Sequence, residues 1–430
     1  MNTPTETEIG DYIAAAGAAA WEVPGLPANT PLREIKTVGI IGAGTMGGGI
    51  AMNFATAGIP VRIVETTQEA LDRGLGVVRG HYQRSSDKGR FPQDEVEARM
   101  SRFDGRLQIA DLAECDLIIE AVFENMELKR KIFTELNRVM KPGAILATNT
   151  SALNIDEIAS MTDRPQEVIG LHFFSPANVM KLLEIVRAKH TSDDVVATCM
   201  ALAKTINKIA TLVGVCPGFV GNRILFARQI QANKLVYQGV MPWDVDAAFN
   251  AFGHKMGPFQ MMDLAGLDIG WSKGATTDNP IRDALCELDR RGQKTKAGYY
   301  DYDETRRPVP SDITAGIIAD ITGAKPATMS PEEIIEICIF PMINEGVKIL
   351  EENKAQRPSD VDVVWLNGYG WPPDKGGVMF YGDMVGAQTV LERMEKLGAE
   401  DADFAPAETL RRLAATGGKF TEIDTGGLKV

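Results

Sequence analysis

Val38-Gly39-Ile40-Ile41-Gly42-Ala43-Gly44-Thr45-Met46-Gly47 is the stretch on which the fold turns. The apolar run Val38 to Ile41 reads as a short buried strand. Gly42-x-Gly44-x-x-Gly47 follows at once and opens a helix-like stretch from Gly48 to Ala57. Glycines mark turns of every kind, so the triplet alone is a weak signal. Between a strand and a helix it has a mechanism: Gly42 permits a tight turn, Gly44 lets backbone approach a pyrophosphate, and Gly47 lets the helix close on the sheet. The uncapped N–H groups and dipole of that helix then favour an anion. A second β-rich run, Val61 to Val64, ends at Glu65. A carboxylate there accepts hydrogen bonds from an adenosine ribose and repels a 2′-phosphate, and Thr66 and Thr67 supply no cation. The expected cofactor is NAD rather than NADP; the competing reading is a nucleotide-free scaffold of the same fold.

Outward from this unit the pattern repeats. Helix-type sequence fills about 67 to 101, with turn chemistry at Asp87-Lys88-Gly89. Short strands are expected at 106–109, 116–122, 144–148 and 167–171, with amphipathic helices such as 126–140 between several of them. Strands alternating with helices predict an α/β Rossmann-type domain with a doubly wound, mostly parallel sheet, over 35–216. After Pro217-Gly218-Phe219 the expected strands stop and long apolar-periodic helices take over. Pro242-Trp243-Asp244-Val245-Asp246 recurs as Pro358-Ser359-Asp360-Val361-Asp362. Each copy is preceded by an apolar helix and followed by a Gly-rich segment and Asp-x-x-Gly, at Asp263/Gly266 and Asp383/Gly386, with a slip of about four residues near Trp371-Pro372-Pro373. The ordered set indicates duplication, giving two related all-α domains at 217–312 and 313–430. Residues 1–34 read as an N-terminal arm or linker, the alternative being a packed extension.

Composition narrows the function. Apolar residues make up 44% and charged residues 24% of 430, which suits an ordinary globular chain. A net charge of −13 argues against nucleic acid and against a basic membrane-binding surface. No apolar run reaches the ~18 residues of a spanning helix, so no membrane insertion is expected. The five scattered cysteines contain no C-x-x-C and read as core thiols of a reducing compartment. The Ala-rich stretch from Ile13 follows acidic residues and makes a poor secretory signal. Leu428-Lys429-Val430 is not a peroxisomal address. The expected location is cytoplasmic.

Only four histidines are present. His81 and His190 sit in polar surroundings and read as solvated, and His254 lies in a turn of the repeat. His172 instead ends the apolar run Val168-Ile169-Gly170-Leu171, where α/β sheets place active residues. Twelve residues on, Glu184 interrupts Leu182-Leu183-x-Ile185-Val186. A carboxylate in such a run is costly unless paired. Pairing with His172 fixes the imidazole tautomer and raises its basicity. The bland readings are a satisfied core histidine and a solvent-facing glutamate.

Val38 to Ala51, Thr148 to Leu153 (TNTSAL), His172 to Val186 (HFFSPANVMKLLEIV), Pro217 to Leu225 (PGFVGNRIL) and Leu366 to Gly377 (LNGYGWPPDKGG) together resemble the L-3-hydroxyacyl-CoA dehydrogenase family of fatty-acid β-oxidation. From about Lys36 the resemblance covers nearly the whole chain. The tandem C-terminal copies are similar to the dehydrogenase part of multifunctional β-oxidation proteins, without the hydratase/isomerase domain that precedes it there. The resemblance implies NAD-dependent oxidation of a 3-hydroxyacyl-CoA, with His172 as base, Glu184 as its support, and Ser151 and Asn222 positioning the reacting oxygen. It implies NAD contacts from Gly42, Gly44, Thr45, Met46, Gly47, Glu65, Glu124, Lys129, Ser151 and Ser175, and a CoA-phosphate contact from Lys88. Helix caps (Ser151, Asn222) and solvated helix faces (Lys88, Glu124, Lys129) are the competing readings. His81 replaces a small polar CoA-contacting residue of the family, and Lys296-Ala297 departs from its usual loop. No metal is implied. Two other functions stay open: a dehydrogenase of a hydroxy acid without CoA, and an assembly subunit docking a separate hydratase. The expected partner state is a monomer whose two copies pair as a pseudo-dimer, or a homodimer.

Overall fold

A computed structural model of the chain describes residues 4–428. Eight strands form the main sheet: β1 (Val38–Ile41), β2 (Val61–Val64), β3 (Phe103–Arg106), β4 (Leu117–Glu120), β5 (Ile145–Thr148), β6 (Val168–Phe173), β7 (Leu182–Arg187) and β8 (Ile209–Gly214). Their order is β3-β2-β1-β4-β5-β6-β7-β8. From β3 to β6 every neighbour is parallel. β7 runs antiparallel to β6, and β8 runs parallel to β7. The order reverses between β1 and β4, which opens a crevice at the strand C-termini. β1, β4, β5 and β6 are buried along their whole length, as strands covered on both faces must be.

The helices of the chain are α1 (Glu6–Ala19), α2 (Thr45–Thr56), α3 (Gln68–Asp87), α4 (Gln93–Met100), α5 (Met126–Val139), α6 (Ile155–Ala159), α7 (Asp193–Thr205), α8 (Gly221–Tyr237), α9 (Pro242–Phe252), α10 (Pro258–Ala265), α11 (Pro280–Glu287), α12 (Asp312–Thr322), α13 (Pro331–Glu351), α14 (Pro358–Gly368), α15 (Val378–Val385), α16 (Ala387–Glu400) and α17 (Glu408–Thr416). Two compact units divide them.

The first unit holds residues up to Arg223 together with Lys348–Tyr369 and the segment after Thr421. Its core joins Ile40, Ile63, Ile119, Ala147, Leu171 and Ile185 from the sheet to Ile50, Phe54 and Val195 from the helices. Of the N-terminal 34 residues, Glu6–Ala19 form a helix that packs, as the alternative reading had it. Thr5 and Glu8 form a reciprocal capping box that starts α1, and α1 packs on α14 through Ala16, Ala20 and Val363. Tyr12 donates to the buried Asp362 at 2.5 Å, and Arg357 donates to the carbonyls of Ala19 and Glu22. The edge of β8 is covered as well: Gly214 N donates to Lys354 O at 2.9 Å, and Val213 bridges to Ala355. The third strand ends where the sequence suggested it begins. Gly105 closes on Leu71, while Leu107 is exposed and Ile109 starts a short 3₁₀ turn. β7 and β8 both lie outside the spans expected as strands.

The second unit holds Ile224–Val347 and Gly370–Phe420. It carries a small antiparallel pair, β9 (Tyr300–Tyr302) with β10 (Pro308–Pro310), so strands do not stop at Pro217. Two buried aspartates fix this region. Asp246 accepts from Phe259 N, Gln260 N and the Tyr300 hydroxyl at 2.7–3.0 Å. Asp263 accepts from Tyr299 N, Tyr300 N and the Tyr302 hydroxyl. The repeat is visible in element lengths: α9 and α14 have 11 residues each, and α10 and α15 have 8. Gly266 and Gly386 end α10 and α15 with positive φ. The unit boundary does not follow the repeat boundary. α14 belongs to the second copy yet packs on β7, β8 and α1, because its Val361, Val363, Val364 and Trp365 are buried.

All five cysteines are free and buried. Burial pushes the Cys115 thiol up to about 11 and those of Cys199 and Cys338 up to about 12. Among the described residues no group of three His, Cys, Asp or Glu is placed to hold a metal ion, and no helix is long and apolar enough to cross a membrane.

Candidate active site

The glycine loop is built as its spacing requires. Gly42 has φ +98, and a Cβ there would lie 2.8 Å from Ala121 O. A Cβ at Gly47 would lie 1.8 Å from Gly42 O, so only glycine lets α2 close on β1. Around Gly44 the space is open. No side chain caps α2, and the first amides of a helix have no partner within it. The amides of Thr45, Met46 and Gly47 thus form an anion cradle that fits the pyrophosphate of NAD. Glu65, at the end of β2, accepts from Ala43 N at 2.8 Å and Thr66 N at 3.0 Å. It lines a cleft of about 400 Å³ with Gly44, Thr45, Arg73, His81 and Asn178. Arg73 escaped the sequence reading, although it stands about one and a half helical turns into α3 and lines the same cleft as Glu65. His81 is also not a plain surface residue. It faces this cleft with Nδ1 3.0 Å from Arg84, and burial and the guanidinium hold its pKa below the usual value.

The second centre stands at the end of β6. In the antiparallel register His172 lies opposite Glu184, so both side chains leave the same face with their Cβ atoms about 5 Å apart. Nδ1 of His172 is 2.7 Å from Glu184 Oε2, and the two residues are 5% and 0% exposed. The other oxygen, Oε1, accepts from Val220 N at 3.2 Å and Gly221 N at 2.9 Å at the start of α8. The carboxylate is therefore paid for on both sides, and Nε2 remains the imidazole nitrogen for a substrate. Phe174 and Phe219 wall the ring at 4.4 and 5.6 Å between centroids.

Asn222 follows Gly221, whose amide binds Glu184, and meets Ser151. Its Nδ2 lies 3.5 Å from Ser151 O, and its Oδ1 accepts from the Tyr369 hydroxyl at 2.7 Å. Ser151 is held by Glu124, whose Oε1 accepts from Ser151 N at 2.8 Å, Ser151 Oγ at 3.2 Å and Thr150 Oγ1 at 2.5 Å. Burial works to raise the Glu124 carboxyl. The Thr150 hydroxyl, the Lys129 ammonium and the Ser151 groups outweigh it and hold the carboxyl below its ordinary range. Lys129 is withdrawn from the surface. It is 1% exposed, with Nζ 2.8 Å from both oxygens of the buried Glu120 and 3.5 Å from Glu124. Glu120 also accepts from Thr148 Oγ1 at 2.7 Å. It could have been found, because it ends an apolar strand as Glu65 does. Ser175 is exposed, as is Lys88, the residue that ends α3. Among the described residues, neither of them hydrogen-bonds or ion-pairs with His172, Glu184, Ser151 or Asn222.

Comparison with known proteins places these features in one lineage. The family model described as 3-hydroxyacyl-CoA dehydrogenase, NAD binding domain, matches residues 37–216. The one described as 3-hydroxyacyl-CoA dehydrogenase, C-terminal domain, matches 218–302 and again 334–425. The peroxisomal bifunctional enzyme of Cavia porcellus is 41% identical over 94% of this chain, and that of Homo sapiens is 40% identical over 94%. The chain spans 60% of the length of each of these relatives. Among solved structures, the dehydrogenase part of multifunctional enzyme 1 from C. elegans is 30% identical with a TM-score of 0.66, covering 94% of this chain and 96% of that one. The 3-hydroxybutyryl-CoA dehydrogenase of Escherichia coli K12 is 25% identical with a TM-score of 0.77, covering 89% and 99%. One N-terminal match followed by two C-terminal matches in tandem accounts for both the sheet and the repeat, and the chain therefore belongs to the 3-hydroxyacyl-CoA dehydrogenase family.

Proposed function

We propose that this chain oxidises (S)-3-hydroxyacyl-CoA to 3-ketoacyl-CoA. The observation that carries the reading is the buried His172–Glu184 pair, 2.7 Å apart at the end of β6 on the sheet whose glycine loop fits NAD. Bound NAD supplies the hydride acceptor. His172 Nε2 takes the 3-hydroxyl proton as the C3–H bond breaks and C3–O becomes a carbonyl. Glu184 holds the Nδ1–H and stabilises the imidazolium that forms. Asn222 and Ser151 fix the reacting oxygen, so that C3 is presented in one orientation. Thr45, Met46 and Gly47 amides hold the pyrophosphate, and Glu65 the adenosine ribose. Ser175 would contact NAD, Glu124 would support its ribose through its grip on Ser151, and Lys129 would act behind Glu124. Lys88 meets the CoA phosphates at the end of α3.

The test is NADH oxidation against 3-ketoacyl-CoA substrates of increasing chain length, beside the matching free 3-keto acids. Turnover of the thioesters supports the reading. Turnover confined to the free acids transfers it to hydroxy acids without CoA, and no turnover at all leaves the assembly-subunit reading. The two helical copies pair within one chain, so the protein is a monomer; the inclusion of most of the first copy and much of the second, Ile224–Val347 and Gly370–Phe420, in one compact unit supports this. The cytoplasm is our reading of location, supported by five buried free thiols that suit a reducing compartment. Two relatives are peroxisomal by name, and cell fractionation decides between the two.

A further inference from the structure

Asn222 can serve a reacting oxygen only if its amide faces one way, with Nδ2 toward the substrate side. An amide does not choose its own orientation; its neighbours do. Ser151 O, which can only accept, lies 3.5 Å from Nδ2, a contact too long to set the amide by itself. The Tyr369 hydroxyl donates to Oδ1 at 2.7 Å and is the strong partner of the two.

Tyr369 is itself fixed. Its ring stacks on Trp365 at 4.5 Å and 22°, and meets Phe174 edge-on at 5.4 Å and 78°. It presses on the backbone of Gly221, where a Cβ would lie 2.5 Å from the Tyr369 ring and hydroxyl. Phe174 in turn lies 4.4 Å from the His172 ring. One side chain thus touches both the Asn222 amide and the wall of the imidazole.

The repeat gives a second, independent observation. Tyr369 is the residue that ends α14, and the residue ending the equivalent helix α9 is Gly253. Glycine suits that place in the first copy, with φ 121. In the second copy the same place carries a large hydroxylated ring at φ −124, turned to the catalytic region. The requirements of the turn do not explain this choice, whereas contact with Asn222 does.

We propose that Tyr369 is a positioning residue for the dehydrogenase reaction: it locks the Asn222 amide, so that the second helical copy contributes to the active site laid down by the first unit. The inference rests on the proposed function. Tyr369→Phe keeps the ring and removes the donor. It should lower kcat with 3-ketoacyl-CoA by roughly tenfold, the scale of a misoriented positioning group, with NADH affinity and melting temperature unchanged. In an Asn222→Ala background the same change should cost nothing further, because the group it orients is gone. Wild-type kcat in Tyr369→Phe overturns the proposal, as does an equal loss in both backgrounds. A loss accompanied by lowered melting is read from Tyr369→Trp, which keeps an aromatic ring; restored melting with kcat still depressed supports the proposal, and restored kcat overturns it. If the wild type reduces no 3-ketoacyl-CoA, the functional reading fails and takes this role with it; an active wild type beside an unaffected variant refutes this role alone.

Discussion

His172, proposed as the base, is the side chain whose replacement should separate chemistry from binding. His172→Gln keeps a hydrogen-bonding side chain beside Glu184 but cannot carry a proton away. The expected loss in kcat is roughly 10²–10⁴, the usual worth of a positioned acid–base group, while NADH affinity read by fluorescence titration stays near wild type. Near-wild-type turnover would remove His172 as the base. At the other centre, Glu65→Ala with Thr66→Arg should move the kcat/KM ratio toward NADP, since a repulsive carboxylate leaves and a phosphate partner arrives. An unchanged ratio would take Glu65 out of the ribose site. His172, Glu184 and Glu65 were legible because each breaks or ends an apolar run, where an ionisable group needs a reason. Arg73 and Tyr369 were not: only the fold sets Arg73 in the cleft of Glu65 and Tyr369 against Asn222. The role of Lys129 was hidden for the same reason, since Glu120 claims its ammonium from a neighbouring strand.

At the scale of the element, α14 carries a buried carboxyl from which a pH dependence of stability is expected. Asp360 opens α14, is 1% exposed, and has Arg357 at 3.4 Å. Burial pushes its carboxyl up to about 7, with Arg357 pulling the other way. A carboxyl raised in the folded state binds more protons there than in the unfolded chain between about pH 4 and 7. Its contribution to stability is present at low pH and is lost as pH rises through 7. Asp360→Asn cannot titrate. The melting temperature of the variant minus that of wild type should therefore grow more positive from pH 5 to pH 8; a constant difference across that range would exclude the effect. The repeat that carries Asp360 could be read from spacing alone. The docking of α1 could not, because an alanine-rich, weakly amphipathic segment looks much like a linker until its small side chains are seen against a particular helix face.

For the whole molecule, light scattering should find a monomer. α13 is buried along most of its length, through Ile334, Cys338, Ile339, Phe340, Ile343 and Val347. Deleting 313–430 removes it together with the segment over the β8 edge and Tyr369. The remnant should dimerise, aggregate or melt at lower temperature; a soluble monomeric remnant of unchanged melting would refute internal pairing of the copies. The alternation of strands and helices made the first domain readable, and the duplicated motif made the second half readable. The division into compact units was hidden, because a helix buried on several sides gives no periodic sign of which neighbour it will join. The buried cysteines have a practical consequence for all of these measurements. Their thiols are withdrawn from solvent and held mostly protonated near neutral pH, so the folded chain is slow to react with a disulfide reagent, whereas the unfolded chain exposes five equivalents. The yellow colour of a thiol titration thus serves as an internal clock for global opening, with no label to attach, and leaves a single engineered surface cysteine as the one fast-reacting handle.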